Sequence, residues 1–303
     1  MQRTRKPNSE APSAILCGDF HLRDDVPICR NPETFEGEQW AKLQFVKDLQ
    51  IKHNCPVIHS GDLFNHWKPS PYLLAKTMEH LPDKFFTIFG NHDLPQHNLK
   101  LQNKCGIYAL EKAGKLIILP RLHWGKSPED LRYPEFGGIE DWVSIKNKSI
   151  LVWHVMTYTG KLPWPDCPAP SAGKLLRKYP QYDLILTGHN HKPFWTKEEN
   201  RLLLNPGSLM RQAADQIDYR PAVWLWFSGT NTVQPIYLPF RKESVSNTHL
   251  ESKKDRDNRI DSFVSKLNSD FVSELSFEDN LEKLISENKL RDSVKQIIYS
   301  SIE

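Results

Sequence analysis

A series of short segments combines carboxylate, amide and imidazole side chains at close spacing. Carboxylate and amide oxygens together with imidazole nitrogens suit borderline divalent metals such as Mn, Fe or Zn, whereas an all-oxygen set would favour Mg or Ca. The candidate ligands outnumber what one ion takes from a protein, so they indicate two ions that share a bridging group. These candidates are Asp19, His21, Asp62, Asn91, His154, His189 and His191.

Each of these segments directly follows a short apolar run, at residues 14–17, 56–60, 85–89, 150–153 and 184–186. Short apolar runs bounded by glycine and polar residues are typical of buried strands. Apolar residues between Trp40 and Leu49, and the segment 72–80, predict intervening helices. This alternation predicts an α/β layered fold with functional residues at the strand ends. Strand-like stretches at 201–204, 222–227 and 233–238 predict a second sheet packed on the first.

Composition narrows the class of protein. The chain of 303 residues is 39% hydrophobic and 25% charged, with a formal net charge of +3. This mild positive charge permits a nucleic-acid partner without requiring one. The cysteines number 5, lie far apart and form no CxxC pair, which favours reduced thiols and a cytoplasmic location. No signal peptide or membrane helix is expected.

The motifs GDFH, GDLF, GNHD, WH and GHNHKP, followed by NPGS, resemble those of the calcineurin-like metallophosphoesterase superfamily over about residues 15–208. Within it, they are most similar to the SbcD-type DNA-repair exonucleases. Some phage and bacterial relatives are also similar, so a phage-encoded protein is one expectation. The resemblance implies a four-layer α-β-β-α sandwich at residues 1–242, with a small helical C-terminal extension at 243–303.

The resemblance also implies roles for the site residues. Two groups of ligands would be joined by a bridging carboxylate: Asp19, His21 and His191 at the first ion, Asn91, His154 and His189 at the second, and Asp62 between them. The ions would be Mn²⁺, with Fe²⁺ or Zn²⁺ as alternatives, and the nucleophile a metal-bound hydroxide. His92 would act on the leaving oxygen, with Asp93 orienting its ring. Many relatives have an acidic residue where this chain has Asn65, a position that influences metal orientation.

Further residues leave alternatives open. His59 is expected in the core. For His66 and His123 a position near the site is an alternative, and a position away from it is favoured. The other histidines are expected at the surface, namely His53, His80, His97 and His249. Lys192 and Arg211 are candidates for phosphate contact or ordinary solvated charges. The loop at 158–170 either stacks on a nucleobase or is a rigid connector with a buried Trp164.

From about Glu243 the chain becomes polar, with two apolar stripes at helical spacing. These predict either helices that pack on the protein itself or a docking element for a coiled-coil ATPase of the SbcC type. A homodimer is also possible from sequence. The expected function is a DNA nuclease; the alternatives are a phosphodiesterase or phosphatase for small nucleotides or phosphoproteins, or an inactive scaffold, which the complete ligand set disfavours.

Overall fold

A computed structural model describes residues 10–119, 148–248, 259–260, 281–283, 285–286 and 290–300. The strands are β1 Ala14–Cys17, β2 Val57–His59, β3 Phe85–Thr87, β4 Ile117–Ile118, β5 Ile150–Trp153, β6 Leu184–Thr187, β7 Phe194–Glu198, β8 Arg201–Asn205, β9 Ala222–Phe227 and β10 Thr232–Tyr237. The α-helices are α1 Pro32–His53, α2 Pro71–His80, α3 Gly106–Lys112, α4 Ala172–Lys178 and α5 Asp292–Ser300. Short 3-10 turns occur at Pro95–His97, Leu99–Lys104, Ala214–Gln216 and Lys242–Ser244.

The first sheet has six strands in the order β10-β9-β1-β2-β3-β4. Strands β1 to β4 are parallel, and helices α1, α2 and α3 connect them. Strands β9 and β10 extend the sheet antiparallel at the other edge. The predicted helices at Trp40–Leu49 and 72–80 are confirmed as α1 and α2, which begin at the side-chain caps Asn31 and Ser70.

The second sheet has four strands in the order β5-β6-β8-β7. Its membership corrects the sequence-based expectation, which grouped β8, β9 and β10 as the second sheet. Only β8 lies there, whereas β9 and β10 pair alongside β1. All of β9 is buried, because it lies between β1 and β10 and both of its faces are covered.

Three apolar clusters define the layers. Inward-facing residues of both sheets pack together between them, among them Leu16, Val152 and Trp226. The other face of the first sheet packs on α1, and the other face of the second sheet packs on α4. The four-layer α-β-β-α architecture is therefore confirmed.

The chain divides into two compact units, Met1–Ser246 and Asn247–Glu303. The first contains both sheets. In the second, Leu281 and Ile285 are buried, whereas α5 exposes Val294, Ile297 and Tyr299. Within the described segments, no helix has the length and apolar character needed to cross a membrane.

Candidate metal centre

The predicted ligands converge because both sheets present the carboxyl ends of parallel strands at one edge. Asp19 follows β1, Asp62 follows β2, and Asn91 follows β3 in the first sheet. His154 and His189 follow β5 and β6 in the second. The β1 and β2 loops are tied together by backbone hydrogen bonds, such as His21 N donating to Asp62 O at 3.0 Å.

Several of these residues have left-handed backbone conformations. The φ angles are 50° at Asp19, 46° at His21, 57° at Asp62 and 74° at His189. Such a conformation costs a residue with a side chain roughly 1–2 kcal/mol, and Asp, Asn and His tolerate it better than most. Residues with strained backbone cluster at functional sites in proteins. Here the left-handed residues turn the chain sharply where it leaves each strand.

The first ligand group comprises Asp19, His21 and His191, whose donor atoms all lie within 4.8 Å of one another. Nε2 of His21 and Nε2 of His191 are 3.0 Å apart, and each is 3.9 Å from Oδ1 of Asp19. The Asp19 carboxylate also accepts hydrogen bonds from the backbone N–H of His189. Converging imidazole nitrogens beside a buried carboxylate fit a divalent cation.

The second group comprises Asp62, His154 and His189, again within 4.8 Å. Asn91 joins it, because its Oδ1 lies 3.1 Å from Nε2 of His154 and 2.9 Å from Nδ1 of His189. Nδ1 of His154 donates to the carbonyl of Ser60 at 2.8 Å, which aims Nε2 at the group.

Asp62 lies between the two groups. Its Oδ2 is 3.2 Å from Nε2 of His154 and 3.6 Å from Nε2 of His21. The donor set of mixed oxygen and nitrogen atoms, arranged around one shared carboxylate, fits two divalent ions. The structure thus brings together all the predicted ligands, and their individual roles stay predictions.

Burial and mutual charge interactions shift the pKa values of the site residues in different directions. Burial raises the pKa of Asp19, while the neighbouring His154 and His21 outweigh burial at Asp62 and hold its pKa well below the usual range. Burial acts against a charge on His154, but the Asp62 carboxylate prevails and raises the pKa of His154 to about 9. Burial lowers the pKa of His189 to about 4 and also lowers that of His21. Neutral imidazole is the form that binds metal, so His21 and His189 are in the metal-binding form at neutral pH.

The expectation that Asp93 orients the ring of His92 is wrong. Nδ1 of His92 donates instead to the backbone carbonyl of Asn65 at 2.9 Å. The buried carboxylate of Asp93 accepts backbone N–H groups from Leu63 at 3.2 Å, and from Phe64 and Gly90 at 3.0 Å each. Adjacent residues in this turn point in different directions, so Asp93 fastens the β2 and β3 loops while His92 is exposed at the site.

Two glycines allow these loops to approach closely. A Cβ on Gly90 would lie 2.0 Å from Oδ1 of Asp62, and one on Gly188 would lie 2.6 Å from the carbonyl of Ser60. Sequence reasoning recognised both glycines only as parts of motifs. The contacts of Ser60 and Asn65 were missed, because backbone carbonyls leave no signal in residue type.

The structure also places the other residues that the sequence offered as candidates for the site. Arg211 is not a phosphate contact: its guanidinium is buried and donates to the carbonyl of Ile217 and the hydroxyl of Ser244. His59 is confirmed in the core, with Nδ1 2.8 Å from Oγ1 of Thr87. Exposed His66 belongs to none of the ligand groups found among the described residues.

Of the expected surface histidines, His97 is exposed, whereas His53 and His80 are half-buried. His123 and His249 lie outside the described residues. Lys192 is exposed, and its contact with phosphate stays a prediction.

The family model for calcineurin-like phosphoesterases matches residues 13–193, more than half of the chain. The chain belongs to this family. It is accordingly a phosphoesterase of a family that uses divalent metals, and its ligand groups lie within or close to the matched region. No curated protein matches the chain.

Several solved structures are similar to the chain at low identity. An archaeal phosphodiesterase is 13% identical, with a TM-score of 0.42 over 74% of this chain and 99% of that chain. Zinc-bound Vps29 from Entamoeba histolytica is 15% identical, with a TM-score of 0.34 over 75% and 99%. A metallophosphoesterase from Sphaerobacter thermophilus is 12% identical, with a TM-score of 0.36 over 75% and 89%. These likenesses are too weak to carry an argument about substrate.

Proposed function

We propose that this phosphoesterase is a nuclease that cleaves phosphodiester bonds in DNA, of the SbcD type, with two Mn²⁺ ions. The observation that carries the proposal is the pair of ligand groups with Asp62 between them, beside an exposed His92. Two ions held in this way would clamp the attacking and leaving oxygens of a phosphodiester. The motif series from GDFH to NPGS supports the choice of DNA.

The chain's own residues supply orientation and proton transfer. Because Nδ1 of His92 donates to the Asn65 carbonyl, Nε2 is the atom that can act on substrate. A protonated Nε2 would donate to the leaving oxygen. The side chain of His191 is 44% exposed while Asp19 and Asp62 are buried, so the site is accessible from one side, as a polymer strand requires.

We further propose that α5 contributes to binding a coiled-coil ATPase of the SbcC type. Val294, Ile297 and Tyr299 are exposed on this helix. Exposed apolar residues on one short helix are typical of helix-mediated docking. A homodimer formed through α5 is the alternative, and co-purification with the ATPase against sedimentation of the isolated chain separates the two.

The nuclease proposal is tested with the purified chain in Mn²⁺, comparing labelled linear DNA with bis-p-nitrophenyl phosphate. We expect both to be cleaved, and His92→Ala to abolish turnover while the bound metal is retained. The matched control is His53→Ala, at the last turn of α1, which should keep wild-type activity. Cleavage of the small diester alone would refute the nuclease and favour a phosphodiesterase for small nucleotides.

A further inference from the structure

The segment between His154 and α4 forms a closed loop with an exposed aromatic tip. Tyr158 and Ser171 are paired by a β-bridge, and Ala172 N donates to the carbonyl of Tyr158 at 2.8 Å. The ends of the intervening loop, residues 159–170, are therefore held together, as in an Ω-loop. Loops of this kind are frequently functional.

The base of this loop is fastened to the metal centre. The side-chain amide of Asn190 donates to the carbonyl of Thr157 at 2.7 Å. Asn190 stands between two predicted ligands, His189 and His191, and the loop begins shortly after a third, His154. Trp164 is the sixth residue after Tyr158, so the tip can extend at most about 20 Å from the neck.

The backbone at the tip is restricted by its neighbouring residues. Pro163 and Pro165 flank Trp164 and restrict its backbone, and Cys167 N donates to the carbonyl of Trp164 at 3.2 Å. Cys167 is buried while the side chain of Trp164 is 48% exposed. The alternative of a connector with a buried Trp164 is therefore wrong.

We propose that Trp164 is a stacking platform for a nucleobase next to the scissile phosphodiester, with exposed Lys161 contacting the strand's phosphates. This inference rests on the proposed nuclease function and deepens it. Trp164 and Lys161 are both exposed and lie three residues apart in the sequence. An aromatic ring and a cation on one loop are the combination that binds single-stranded nucleic acid, because every base has a π-face and every linkage a negative charge. The hydrogen bond from Asn190 holds the neck of the loop beside the predicted ligands, and a flanking nucleotide of a strand bound there would lie within reach of the tip.

The test compares two single-stranded oligonucleotides with the same phosphates, one with normal bases and one with abasic sites flanking a single cleavable linkage. The measured quantity is the ratio of kcat/KM for the two substrates. We expect the wild-type ratio to exceed that of Trp164→Ala by about 5- to 150-fold, the range for one base–aromatic stack. Trp164→Tyr should keep most of the ratio, whereas Trp164→Leu should lose it. Tyr72→Ala, which removes an exposed aromatic ring on α2, should leave the ratio unchanged.

The outcomes separate the two proposals. A ratio that is unchanged in Trp164→Ala would overturn the platform while leaving the nuclease intact. If Trp164→Leu keeps the full ratio, apolar area and not stacking is responsible, and the platform is again overturned. A wild-type protein that cleaves bis-p-nitrophenyl phosphate but neither oligonucleotide would refute both the nuclease and the platform.

Discussion

Substituting Gly90 by alanine should damage the metal centre through one methyl group. The φ angle of Gly90 is not positive, so the backbone itself accepts alanine. The obstacle is Asp62: the new Cβ would lie 2.0 Å from its Oδ1 and 2.4 Å from its backbone nitrogen. Ordinary van der Waals contact begins at 3.4 Å, so one loop must move by more than about 1 Å.

A movement of this size exceeds what metal binding tolerates, since ligand distances vary by only about 0.2 Å in functional sites. A misplacement of roughly 1 Å at a reacting centre can reduce the rate about 100-fold. We therefore expect Gly90→Ala to weaken binding of at least one ion and to reduce kcat/KM at least about 100-fold.

The assay is calorimetric titration with Mn²⁺ alongside hydrolysis of bis-p-nitrophenyl phosphate. Gly37→Ala is the matched control: Gly37 lies in α1 with nothing within 4 Å of its added Cβ, and alanine there should stabilise the helix by about 0.5–1 kcal/mol. Near wild-type affinity for both ions and near wild-type turnover in Gly90→Ala would refute the close-packing argument.

The other predictions concern stability, loop fastening and metal. Burial lowers the pKa of Lys42 from 10.5 to about 7. Between about pH 7 and pH 10.5 the unfolded chain therefore binds a proton that the folded chain lacks. The free energy of unfolding should rise with pH across this range. Lys42→Met should remove this rise and add a few kcal/mol near pH 7, as measured by urea unfolding. Asp93→Asn should cost about 2 kcal/mol of stability and reduce kcat, because an amide cannot accept all three backbone N–H groups. Mn²⁺ at about 100 times its Kd should stabilise the protein by roughly 2.7 kcal/mol, and Asp62→Ala should lose both ions and this gain.

For each of these predictions, one outcome would contradict the reasoning. An unchanged pH dependence in Lys42→Met would show that Lys42 is charged at neutral pH in the folded state. Wild-type stability in Asp93→Asn would mean that its backbone hydrogen bonds are replaceable. Retention of two ions by Asp62→Ala, counted by elemental analysis, would contradict a bridging role.

The sequence predicted which side chains come together at the candidate metal centre, because each one lies in a polar motif that follows a short apolar run. An apolar run that stops at a polar motif specifies both a buried strand and the place where the chain leaves the sheet. It does not specify which strand lies beside it, which is why β9 and β10 were assigned to the wrong sheet. Strand β7 was missed because its residues are only partly buried and its apolar pattern is short.

Contacts made by the backbone were beyond prediction. The resemblance implied a contact between Asp93 and the ring of His92, whereas that ring donates to the backbone carbonyl of Asn65. The fully buried Lys42 was equally unforeseen, because a lysine on a helix is usually solvent-exposed. Its Nζ has no hydrogen-bond partner among the described residues, and no pattern of residue types along α1 reveals its burial.

The left-handed residues at the strand ends have a consequence for how the protein can evolve. At Asp19, His21, Asp62 and His189 the preferred backbone and the preferred ligand coincide, because few residue types tolerate such a turn and also hold a metal. A chain that lost the need for catalysis would gain stability by admitting glycine at these positions, since glycine adopts positive φ without strain. Stabilising the protein by changing these positions would therefore select against its activity, and gains in thermal stability should be sought elsewhere, as at Lys42 and Gly37.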